Sequence, residues 1–215
     1  MHNTVKNLIY IEERIKSKAN HDKLPTIIAV SKTFPIENVL PLIDHGHLHY
    51  GENKVQEALD KWSDIKSKAN IKLHLIGRLQ TNKVKFAIQI FDYIHSLDSE
   101  KLATKIADEQ VKQEKKPKIF IQVNIGNEEQ KSGINKEKLG DFYKFCKNLN
   151  LEVIGTMCVP PNDSNTEKYF YEMKNINQEL NFKDLSMGMS GDYLDAIKNS
   201  ATYVRVGSKI FGSRA

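Results

Sequence analysis

Short apolar runs alternate along the chain with longer stretches in which apolar residues recur every three or four positions, and that alternation is the signature of βα units. Eight runs read as strands: TIIAVSK from Thr26, HLHYGEN from His47, KLHLIG from Lys72, YIHSLD from Tyr93, KIFIQVN from Lys118, EVIGTMCV from Glu152, DLSMGMS from Asp184 and TYVRVGS from Thr202. Segments such as NKVQEALDKWSDIKSK and SEKLATKIADEQVKQEK lie between them and are long enough for right-handed crossovers between parallel strands. An opening stretch with Val5, Leu8, Ile9 and Ile15 on one face predicts an extra N-terminal helix. Eight such units in roughly 190 residues close a TIM-type (β/α)8 barrel. The rival architecture, an open doubly wound sheet, lacks its mark, because the first βα turn, SKTFP, has no GxGxxG to cradle a dinucleotide.

Composition narrows the picture without changing it. At 215 residues and 40% apolar content, the chain fits one α/β domain spanning 1–215, large enough to bury about 70% of its unfolded surface. No apolar run approaches the ~18 residues of a membrane span. The start, MHNTVKNLIYIEERIKSK, carries charges too early for a signal peptide. The expectation is a soluble, cytoplasmic protein with no membrane partner. Cys146 and Cys158, with no third cysteine and no CxxC, imply neither a disulfide framework nor a zinc knuckle. A net charge of +5 invites nucleic acid, but 28 of the 32 basic residues are lysines mixed among Glu and Asp, and no aromatic-basic strip accompanies them. His45, His47 and His49 lack a carboxylate at ligand spacing, so no metal is expected.

In such a barrel the chemistry gathers where strands end. Strand alternation puts Ile28, Val30 and Lys32 on one face, with Lys32 at the rim of the interior. Desolvation there favours a neutral, nucleophilic amine able to form a Schiff base; a rim lysine reaching out to water is the plain alternative. Only four arginines occur, and Arg205 sits between two valines on the last strand, where it serves either a ligand or an internal salt bridge. The loops SMGMSGD and RVGSKIFG follow strands seven and eight, the place where these barrels bind phosphate, and Gly188, Ser190, Gly191, Gly207 and Ser208 leave room for a dianion. Asn53 ends the second strand as a helix N-cap or as a ligand contact.

The segments AVSKTFP, HYGENKVQEALDK, LHLIGRLQTNK, IHSLDS, VNIGNEEQKSGI, LSMGMSGDYLDAI and RVGSKIFGSR, in this order over nearly the whole chain, resemble the YggS/PROSC family of pyridoxal phosphate homeostasis proteins. The resemblance implies a barrel similar to the N-terminal domain of alanine racemase, the type III fold of enzymes that use pyridoxal 5'-phosphate (PLP). It implies PLP held as a Schiff base on Lys32, Arg205 facing the pyridine nitrogen, Ser190, Gly207 and Ser208 around the phosphate, and Asn53 and Met187 lining the ring pocket. Two departures stand out: Arg78 in IGRLQ replaces a smaller or uncharged residue near the mouth, and Ser208 replaces a frequent threonine.

Three functions compete. By resemblance the first is a PLP carrier in intracellular homeostasis, acting as a monomer without turnover and exchanging the cofactor with apo PLP-dependent enzymes. An arginine at the pyridine nitrogen suits that role, since it keeps the ring a poor electron sink. The second is a PLP-dependent racemase of a small amino acid, which needs a base on each face of the cofactor. Similar racemases take one base from a second domain, and none is expected here after FGSRA. The third, a Schiff-base aldolase on a phosphorylated sugar, is disfavoured by the YGEN, SMGMS and RVGS set.

Overall fold

The eight expected strands are present and all parallel in the structure, a computed structural model describing residues 1–18, 24–163 and 165–212. They are β1 (Thr26–Val30), β2 (His49–Glu52), β3 (Lys72–Leu75), β4 (Tyr93–Leu97), β5 (Lys118–Gln122), β6 (Val153–Met157), β7 (Asp184–Met189) and β8 (Tyr203–Val206). They close in sequence order, with β8 returning to pair with β1 from Thr26 opposite Tyr203 to Ala29 opposite Val206. Most strands stop short of the apolar runs that predict them, because the last polar residues of each run leave the ladder and begin a βα loop. The second starts at His49 rather than His47.

The crossovers carry α2 (Leu40–Asp44), α3 (Val55–Lys66), α4 (Val84–Ile90), α5 (Glu100–Lys112), α6 (Leu139–Asn148), α7 (Thr166–Glu179) and α8 (Tyr193–Lys198). The expected extra helix is α1 (Asn3–Lys16), which buries Val5, Leu8, Ile11 and Ile15 and is tied to the closing helix α9 (Ser208–Phe211) by Asn7 Nδ2 donating to Ile210 O at 2.9 Å.

Period-two alternation divides the side chains into two sets. Residues such as Ile27, Ala29, Leu73, Leu75, Ile119, Ile121, Val204 and Val206 join one large cluster between sheet and helices. The opposite faces fill the barrel, where Tyr93, Phe120 and Met157 form a small separate cluster. Register shifts in β4–β5, β5–β6 and β7–β8 interrupt the alternation, and the last of these matters for the site.

Close strand packing leaves no room at Gly155, where an added Cβ would lie 1.7 Å from Asp184 O, whereas Gly140 in α6 faces open space. Gly155→Ala should lose about 3 kcal/mol or more of stability. Gly140→Ala should gain about 0.5–1 kcal/mol. Urea denaturation midpoints measure both, and a neutral Gly155→Ala would contradict this packing.

Candidate functional site

A cavity of about 480 Å³ opens at the C-terminal rim of the strands, a size within the range of small-molecule sites. Alternation delivers its walls: Val30 and Lys32 from β1 and its loop, Asn53 after β2, Ile76 after β3, and Arg205 and Gly207 from β8 and its loop. Its upper edge is the paired loops after β7 and β8, joined where Gly207 N–H donates to Ser190 Oγ at 3.1 Å. Phe34 stacks on Phe211 of α9 with centroids 5.0 Å apart, holding the β1 loop against the same edge.

The turn that presents Lys32 is fixed from both sides. Thr33 has φ of 66°, a left-handed conformation that a β-branched residue adopts only when its surroundings enforce it. Its N–H donates to Glu57 Oε1 at 2.6 Å. On the other side, Ser31 Oγ donates to Glu52 Oε1 at 2.8 Å, and Lys61 Nζ donates to both Ser31 O and Glu52 Oε1 at 2.9 Å. Trp62 Nε1–H also donates to Glu52 Oε1, at 3.0 Å. Glu52 is fully buried outside the barrel wall, so one carboxylate and one ammonium from the β2–α3 unit hold the backbone on which Lys32 stands.

Arg205 is 4% exposed. Its guanidinium donates to Ser186 Oγ at 2.7 Å and to Cys158 O at 2.8 Å. Among the described residues it makes no ion pair. Burial lowers its pKa, but an arginine stays cationic. Asp192 favours its charge electrostatically without pairing with it, and a buried cation with no ion-pair partner is costly; this one lines a cavity, so the site is complementary to an anion or an electron-rich acceptor.

The structure gathers Lys32, Asn53, Ser190, Arg205, Gly207 and Ser208 around the cavity. It does not gather Met187, which is fully buried in the cluster between sheet and helices. Ser186 faces inward, so alternation turns its neighbour outward. Past Gly188, at φ of 88°, the register shift brings Met189 to the lining instead. Asn53 is not a helix cap: Lys54 occupies that position, with no side-chain cap bond. Arg78 is exposed and outside the lining. His47 Nε2 donates to His49 O at 2.9 Å, and burial pulls its pKa down to about 4. No group of residues able to hold a metal occurs among the described residues. Both cysteines are buried and free, with thiols pushed up to about 12 by desolvation. Sequence reasoning missed Ser186 as the partner of Arg205, although strand alternation from Ser186 and the separate alternation along β8 place both inward.

Residues 7–215 match the family described as alanine racemase, N-terminal domain. A pyridoxal phosphate homeostasis protein of Aquifex aeolicus is 35% identical over 226 residues, covering 99% of each chain. PipY of Synechococcus elongatus PCC7942, solved without PLP, is similar with a TM-score of 0.88 and 29% identity over 98% of this chain and 100% of that one. The same protein solved with PLP bound gives a TM-score of 0.82 at 28% identity, over 97% of this chain and all of PipY.

The Glu52 network generates a prediction of its own. Glu52→Gln removes the nearer and fully buried of the two carboxylates paired with Lys61, which is only 10% exposed, and should cost about 3 kcal/mol, as expected for breaking a buried pair from one side. Chemical denaturation measures it; a loss under about 1 kcal/mol would show that the pair does not anchor the Lys32 turn.

Proposed function

The chain belongs to the family described as alanine racemase, N-terminal domain, and to the pyridoxal phosphate homeostasis proteins, and on that premise we propose that it binds PLP in the rim cavity and holds it in reserve for the cell. One observation carries the assignment to this cavity: Lys32 and the buried Arg205 cation, which makes no ion pair among the described residues, line it together.

The residues present fit the group. PLP supplies, when bound, an aldehyde that condenses reversibly with an amine and a dianionic phosphate. Lys32 offers the amine for a Schiff base. Ser190, Ser208 and the Gly207 backbone frame the phosphate end, and Gly191 leaves space there, with nothing within 4 Å of an added Cβ. Asn53 and Ile76 line the ring. Arg205 faces the pyridine nitrogen, where a fixed cation disfavours protonation and keeps the ring a poor electron sink.

The same lining separates holding from turnover. A racemase needs two bases. Among the described lining residues only Lys32 and Arg205 are ionisable, and an arginine is a poor base. The lining therefore favours a carrier, and α-deuterium exchange into alanine or serine well above the rate with free PLP would restore the racemase. In the carrier reading, Lys32 yields the cofactor to the lysine of an apo PLP-dependent enzyme, and the chain works as a cytoplasmic monomer. No helix among the described residues is long and apolar enough to cross a membrane.

Purified protein loaded with PLP should show a visible absorption band that borohydride removes, and Lys32→Ala should lack it; a band of equal strength in the variant would move the attachment elsewhere. Ser208→Asp places a carboxylate beside the phosphate end and should weaken PLP retention by about tenfold or more. Equilibrium dialysis measures that loss, and unchanged retention would remove Ser208 from the phosphate site.

A further inference from the structure

The interior of a β/α barrel is ordinarily filled by layers of branched apolar side chains. Beneath this cavity the filling is polar and connected. Ser186 Oγ, which accepts from Arg205, lies 2.9 Å from His95 Nδ1. His95 Nε2 lies 2.9 Å from His74 Nδ1, and His74 Nε2 lies 2.9 Å from His49 Nδ1. Five strands thus contribute to one line of hydrogen bonds, from β8 at the cavity through β7, β4 and β3 to His49 at the start of β2. The imidazoles are held by neighbouring rings: His74 stacks on Tyr93 at 4.1 Å, His95 on Phe120 at 4.3 Å, and Tyr203 packs edge-on against Phe120.

The donors in this line can be assigned by accounting. A guanidinium only donates, so Ser186 must meet Arg205 with a lone pair. The single hydroxyl hydrogen of this fully buried serine then has His95 Nδ1 as its partner. A hydrogen on that nitrogen would leave the hydroxyl accepting twice and its own buried hydrogen without an acceptor, an unmade bond that nothing offsets. His95 therefore carries its hydrogen on Nε2 and donates to His74 Nδ1. His74, by the same constraint, donates from Nε2 to His49 Nδ1. Both inner rings are fully buried, and burial holds their pKa values well below the ordinary histidine range, with Arg205 further opposing charge on His95.

We propose that Ser186, His95 and His74 are positioning residues for Arg205, a hydrogen-bonded line of fixed polarity that holds the guanidinium toward the cavity without neutralising it. A carboxylate behind Arg205 would satisfy the same donor but would absorb its charge and draw it from the ligand. A hydroxyl backed by neutral imidazoles satisfies the donor and leaves the cation for the bound ring. The proposal rests on the PLP reading of the cavity, but its hydrogen assignment belongs to the protein alone.

The test uses the full chain labelled with nitrogen-15 histidine, with and without PLP. Expected in both states are neutral His95 and His74 with hydrogen on Nε2. His95→Leu should lower PLP retention about tenfold, the scale of losing an outer layer of contacts, and shift the visible band. His95→Gln, whose carbonyl can accept from Ser186 and whose amide can donate to His74, should recover most of both. Ser186→Ala should release the His95 tautomer, giving a mixture or the other form; it also serves if His95→Leu does not fold. Hydrogen on Nδ1 of His95, an imidazolium there, or His95→Leu and Ser186→Ala proteins with wild-type band and retention would overturn the proposal. A wild-type protein that takes up no PLP while showing the expected tautomers would instead overturn the reading of the site.

Discussion

The pairing of β8 with β1 is the constraint on which everything at the rim depends. It sets Ile28 opposite Arg205, and so brings the amine near the start of the chain and the guanidinium near its end to the wall of one cavity. In an open sheet the same two strands would be edges, and Lys32 and Arg205 would lie on opposite margins. Closure also removes both edges, leaving no exposed ladder to pair with another chain. The α1–α9 contact through Asn7 and Ile210 joins the two ends of the chain on the outside of the same seam. Structural stability and site assembly are therefore one property here.

Closure has an electrostatic consequence. Placing an arginine inside the ring of strands strips its water, and the fold offers it a serine hydroxyl and a backbone carbonyl in place of an acid. Lys61 shows the opposite solution outside the wall, where a lysine of similar burial sits on Glu52 and near Glu57. The two buried cations differ in purpose. Lys61 is paired where it braces a backbone turn, whereas Arg205, with Asp192 near but no ion pair, lines the cavity. The orphan Oε2 of Glu52, buried without a partner, shows that even the braced cluster tolerates some cost to keep the turn in place.

Much of this was legible in the sequence, and the parts that were not share a cause. Eight strands, their order, the extra helix, and Lys32 on the inner face follow from periodicity, which is local. Met187 was misplaced for the ring pocket because a motif match transfers a residue type while the pleat decides its face, and the irregularity at Gly188 then hands the position to Met189. Asn53 resembles a cap by residue type, but the cap position falls one residue later, at Lys54, and the helix begins at Val55. The strain at Thr33 and the line from Arg205 to His49 were invisible because they depend on which residues of distant strands share a level, which registers set and spacing does not. His74 and His95 read in sequence as ordinary inward residues of two apolar runs, and only the closed barrel makes them neighbours.

These features bear together on whether the site holds or transforms its ligand. Catalysis at an α-carbon needs a proton acceptor and a proton donor placed across the reacting plane, and a ring able to take up charge. The described lining supplies one amine, a permanently charged guanidinium, and otherwise hydroxyl, amide and apolar groups. Behind the guanidinium stand imidazoles whose pKa values burial holds well below the ordinary histidine range, so they carry no acidic proton to pass toward the cavity. Rigidity lies in the same direction: the Lys32 turn is fixed by Glu52, Glu57 and Lys61, and Arg205 by Ser186 and Cys158. A preorganised cavity with one amine and few proton-transfer groups in its described lining gains affinity for a ligand through reduced ordering cost.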